Sequence, residues 1–142
     1  MRFEEIQWVD VRDDVRAAIE PHLLRWWPLL PTWVQEFHVS FLPQENATLQ
    51  AKISHRNRWF CLRVTGIFLD CSEEERANAV RHEFIHALLE PIINVSTRIL
   101  DELLKEGPYR ELIDGLYTDG MEAAVEDLAR GIGRLMENDV SG

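Results

Sequence analysis

Over Phe37–Phe41 and Ala47–Ile53 the apolar residues fall at every second position, a period that only extended chain can bury on one side, and these runs separate helical stretches before and after them. Phe37, Val39 and Phe41 alternate with His38 and Ser40, the pattern of a strand with one face in a core. After Pro43 and Asn46, Ala47, Leu49, Ala51 and Ile53 fall on one face and Thr48, Gln50, Lys52 and Ser54 on the other. The polar segment His55-Arg56-Asn57-Arg58 then predicts a hairpin turn into a return strand, Trp59 to Thr65, with a further extended run from Ile67 to Asp70 after Gly66. Joined in sequence order, these runs predict a small three- to four-stranded antiparallel sheet.

The flanks change period. Val11, Val15, Ile19 and Leu23 recur every four residues, predicting an amino-terminal helix that Pro28 and Pro31 end. Beyond the sheet, Ser72-Glu73-Glu74-Glu75 forms a capping box: the Ser72 hydroxyl meets the Glu75 amide and the Glu75 carboxylate reaches back. The helix that follows is expected to run to about Leu89 and stop at Pro91, with apolar spacing resuming from Ile92 to Lys105 until Gly107-Pro108. A short segment, Arg110 to Tyr117, and a turn at Thr118-Asp119-Gly120 lead to a final helix, Met121 to Asn138. The expected class is α+β in a single domain covering residues 1–142, a length that can bury one core without staples.

Charge narrows the function. Fifteen basic against 25 acidic residues give a net charge of -10, which repels phosphate backbones and anionic lipid alike, so neither nucleic acid nor a membrane surface is an expected partner. The start of the chain has acidic residues where a signal peptide carries basic ones, and the cytoplasm is the expected compartment. Cys61 and Cys71 are then expected as half-buried reduced thiols. His22, His38 and His55 are read as structural or exposed.

The chemistry concentrates in His82-Glu83-Phe84-Ile85-His86. On a helix, residues four apart differ by about 40° in angle and about 6 Å along the axis, so both imidazoles lean over one spot and can share a metal ion. Glu83 borders that face, where a carboxylate can take a proton from water at the metal and pass it to a leaving group. From His82 to Leu89 the only other side chains are apolar, which predicts a buried central helix. Polar groups placed there are costly unless partnered, and metal coordination partners them.

A catalytic zinc needs a third protein ligand. No histidine follows His86 and no cysteine follows Cys71, so a downstream ligand must be Asp or Glu. Glu90 is about 12 Å from His82 along the helix, too far to share an ion. On the final helix Met121, Val125, Leu128, Ala129, Ile132 and Met136 form an apolar arc with Glu122 at its edge, making Glu122 the candidate third ligand. Glu126, one turn on, is placed to accept a hydrogen bond from the far nitrogen of a ligand histidine; which of the two carboxylates is the ligand stays open. Asp127 points away.

These stretches, His82-Glu83-Phe84-Ile85-His86 and Glu122-Ala123-Ala124-Val125-Glu126, resemble the zincin metallopeptidases, specifically the gluzincin branch and its minimal members, in which the same helix motif precedes a second helix bearing ExxxD or ExxxE. The resemblance spans roughly Glu36 to Met136. It implies Zn²⁺ as cofactor, Glu122 as third ligand, Glu126 as its neighbouring support, and a small sheet above an active-site helix. Leu89 and Ile92 stand where metzincins need Gly and His, and the branches that use a third histidine find none here. Tyr117 or Tyr109 is a candidate oxyanion stabiliser by analogy with related enzymes.

The functional expectation is a zinc-dependent metallopeptidase, with Glu83 as general base and a peptide or protein as substrate. The competing reading is a non-catalytic binding or regulatory module that retains a zincin-like metal site. Substrate specificity and oligomeric state are not written in the sequence.

Overall fold

The computed structural model describes residues 1–44, 46–104 and 106–140, without the side chains of residues 137–140. Along the chain lie strand β1 (Gln7–Val9), helix α1 (Asp13–Trp26), strands β2 (Glu36–Leu42), β3 (Leu49–Ser54) and β4 (Trp59–Thr65), and helices α2 (Gly66–Asp70), α3 (Glu73–Leu103) and α4 (Pro108–Val140). The class is α+β. The chain forms two compact units, Met1–Leu88 and Leu89–Gly142, with α3 running from one into the other.

In the first unit the four strands lie in the order β1-β2-β4-β3. β1 pairs with β2 and β2 with β4 in parallel; only β3 runs antiparallel, against β4. The expected antiparallel sheet is therefore a mixed one. The physical reason is the link between Leu42 and Leu49, which is long enough to step past one strand spacing and leave room for β4 to insert between β2 and β3. On the other side, α1 connects β1 to β2 as the crossover that a parallel pair requires.

The period-two reading places the core face correctly. Phe37, Phe60 and Ile53 lie side by side across three strands, as do Val39, Leu62 and Ala51, then Phe41, Val64 and Leu49. Phe37, Val39, Phe60, Leu62 and Val64 are fully buried, together with Val15, Ile19, Leu23 and Trp26 from one face of α1. Alternate residues on the other sheet face, His38, Cys61 and Arg63, are only half-buried. Cys61 and Cys71 are free, half-buried thiols.

The hairpin turn falls at His55–Arg58, where Arg58 takes a left-handed conformation at φ 59°. The buried Thr65 hydroxyl donates to the Thr48 carbonyl at 3.0 Å, tying the end of β4 to the start of β3. Three expectations fail locally. The run Ile67–Asp70 is helix α2, not a strand, and α1 begins at Asp13, leaving Val11 outside it. Pro91 does not stop α3, which continues to Leu103: a proline removes one backbone hydrogen bond, and the turns on either side hold the helix across it.

In the second unit, the turn expected at Thr118-Asp119-Gly120 is instead the interior of α4. Glycine weakens a helix by about 1 kcal/mol, which neighbouring turns offset. Gly107, at φ +145°, and Pro108, the first residue of α4, do make the break between the two helices. Arg110 closes that break, its guanidinium donating to Asp101 at 2.5 Å, to Asp114 at 2.7 Å and to the Leu104 carbonyl at 3.3 Å.

Candidate metal centre

Helix α3 starts as the sequence predicts. The Ser72 amide donates to the Glu75 carboxylate at 2.7 Å and, with the Ser72 hydroxyl, holds that carboxyl below its ordinary range, while the Glu75 amide donates to the Ser72 hydroxyl at 3.3 Å. From that start the helix lays Val80, Phe84 and Ala87 into the core. Phe84 is its anchor, its ring 6.0 Å from Phe37, 5.8 Å from Phe60 and 6.5 Å from Trp27, centroid to centroid.

Residues two before and two after Phe84 lie about 160° around the helix from it. His82 and His86 therefore share the face opposite Phe84, and both are half-buried. Their Nε2 atoms stand 3.1 Å apart and their ring centroids 4.8 Å. The helix is less enclosed than expected: Leu88, one turn after Phe84 on the same side, is 40% exposed.

The donor chemistry fits a metal. Two ligand nitrogens about 2.05 Å from a tetrahedral zinc lie about 3.3 Å apart, close to the observed separation of the two Nε2 atoms. His82 and His86 supply two imidazole donors, and a carboxylate would complete a set that could hold a metal ion.

Glu83 and His82 both line a pocket of about 330 Å³ with Thr48, Leu49, Cys71, Glu75, Asn78 and Ala79. The general-base candidate thus faces the same open space as one of the two histidines. Asn78 accepts a hydrogen bond from the buried Arg81 at 2.8 Å, and the Arg81 guanidinium lies 4.9 Å from the Trp26 ring, so the pocket wall is fixed to the core. Asn78 was not singled out in the sequence, and Glu75 was read there only as half of the helix cap, although they stand four and seven residues before His82, a spacing that places them on its face. Thr48 and Cys71 carried no such signal, since the fold alone brings them to the pocket.

The remaining sequence candidates lie in the second unit. Glu122 is exposed on α4, and Glu126, one turn on, accepts a 2.7 Å hydrogen bond from Arg130. Val125 and Ala129 are buried as the apolar arc predicts, whereas Leu128 is 45% exposed. Tyr117 lines a largely apolar groove between α3 and α4 with Leu89, Ile93 and Met121, and Tyr109 is exposed at the start of α4. Of the other histidines, His22 is buried with Nε2 3.1 Å from Glu73, His38 lies 3.4 Å from Glu36, and His55 meets the Trp33 ring edge-on at 5.0 Å.

Compared with models of protein families, with curated proteins and with solved structures, the chain matches none of them. Among the described residues, no helix is long and apolar enough to cross a membrane.

Proposed function

We propose that this chain is a zinc-dependent metallopeptidase of the zincin type, closest in design to the gluzincins. The observation that carries the reading is the His82–His86 pair, its ring nitrogens 3.1 Å apart on the helix face opposite the Phe84 anchor, with Glu83 opening onto the pocket that His82 lines. In this reading His82, His86 and Glu122 hold Zn²⁺, and Glu126 supports the set through a ligand histidine. When bound, the ion supplies a Lewis acid that polarises a peptide carbonyl and acidifies water.

The protein's own part in the reaction belongs to Glu83. Its carboxylate accepts a proton from the attacking water as the water oxygen bonds to the carbonyl carbon. It then gives that proton to the amide nitrogen as the carbon–nitrogen bond breaks, so the group ends as it began.

Metal analysis and peptide hydrolysis measured on the same variants test this. Glu83→Gln is expected to keep one equivalent of zinc and to lose about 10²- to 10⁴-fold in rate on an unfolded protein substrate. His82→Ala and Glu122→Ala are expected to lose the metal. Undiminished hydrolysis by Glu83→Gln would remove the general base, and a full equivalent of zinc in Glu122→Ala would remove that carboxylate from the ligand set. A wild-type protein that binds zinc without hydrolysing any peptide would favour a binding module.

A further inference from the structure

Within the second unit, α3 and α4 leave an apolar face uncovered. Ile92, Val95, Ile99 and Leu103 on α3 recur at spacings of three and four and fall within about 80° of one another around the helix. Leu112 and Leu116 continue the pattern on α4. All six are between 52% and 74% exposed, and Tyr109, one turn before Leu112, is 81% exposed. The two stripes meet, since Ile92 and Leu116 line the same groove of about 430 Å³ between the helices.

Large aliphatic side chains exposed in this number along one side of a helix pair are unusual on a monomer surface. We propose that this face is a homodimer interface, in which the α3–α4 hairpins of two copies pack as a four-helix bundle about a two-fold axis. The area supports a second copy as the occupant: the seven side chains expose on the order of 800 Å² on each protomer, the amount a standard protein interface buries per partner. The geometry supports it too. An antiparallel pair of helices with one apolar face is half of a four-helix bundle, and a two-fold axis lets the same face complete itself.

The rim is compatible with self-pairing. Arg98 and Glu102 border Val95, Ile99 and Leu103 in a shallow groove of about 370 Å³, so the edge of the face carries both signs and a two-fold pairing can set unlike charges against each other. The chain as a whole carries -10, so two copies repel at long range. An apolar contact working against that repulsion is expected to tighten as salt screens it.

Sedimentation equilibrium on the full chain decides the matter. The wild type is expected at twice its 16.6 kDa, with a dissociation constant below about 10 μM that falls at least two-fold when salt is raised from about 0.05 to 0.5 M. The double variant Ile99→Glu, Leu112→Glu changes two exposed positions and is expected to sediment as a monomer with an unaltered helical circular-dichroism spectrum. Lys52→Glu, on an exposed position of β3, is expected to remain dimeric. A wild type that stays monomeric at about 100 μM, as it would if another protein were the natural occupant, overturns the proposal. So does a dimer that survives the double variant.

Discussion

Phe84 and the two histidines share one turn and a half of helix and do opposite things because of where each falls around it. Phe84 is fully buried against Phe37 and Phe60, whereas His82 and His86 sit on the far side with their nitrogens turned to one another. The position of the histidines is therefore set by the aromatic that separates them. Phe84→Ala is expected to cost about 3–5 kcal/mol of stability, because a ring that touches two strands leaves a cavity the sheet cannot collapse. Urea unfolding followed by tryptophan fluorescence measures it; a loss under about 1 kcal/mol would show that Phe84 is not the anchor. The HExxH spacing was legible in the sequence because helix geometry is local. The identity of Phe84's partners was not, since they come from strands more than twenty residues away.

At the scale of elements, starts were more legible than stops. The Ser72–Glu75 box forms as read because both halves of the bond pattern lie within four residues. Ser72→Ala is expected to lower stability by about 1 kcal/mol and to leave the helix content of the fold intact; thermal unfolding that does not shift would deny the cap any part in holding α3. Pro91 and Gly120 mislead for the converse reason. Each weakens a helix by a local penalty, and each is outweighed in place by the turns on both sides, so α3 and α4 run through them. Gly107-Pro108 does break the chain, with a positive φ at the glycine, and Arg110 bridges the two helices there.

At the scale of the molecule, one buried group ties stability to pH. His22 of α1 is buried beside Glu73 of α3 and the Phe68 ring, and burial pulls its pKa below the ordinary 6.5; Glu73 opposes that shift, while Arg76 and Arg25 add to it. The folded protein therefore holds this imidazole neutral where the unfolded chain would protonate it. The contribution is whole above pH 6.5 and is lost as pH falls from there toward the lower folded value. The urea midpoint is expected to drop between about pH 7 and 5.5 and to drop less in His22→Gln; equal slopes for the two proteins would assign the pH dependence to other groups.

The order of the sheet was decided at this scale as well. Alternation along Phe37-Val39-Phe41 and Phe60-Leu62-Val64 marks which face is buried, but each run carries no signal for its neighbour. The Leu42–Leu49 link can be closed as a hairpin or stretched past an inserted strand, and the second arrangement lets β4 take the central, doubly paired place while α1 covers the same face from β1 to β2. By itself the sequence determined what depends on neighbours within a turn or two: the strand period, the hairpin at His55–Arg58, the Ser72 cap and the shared face of His82 and His86. Tertiary structure alone decided the parallel pairing of β2 with β4 and the inclusion of Thr48 and Cys71 in the pocket beside Glu83. Those outcomes rest on contacts between distant segments, whose free energies add only when the whole chain is in place.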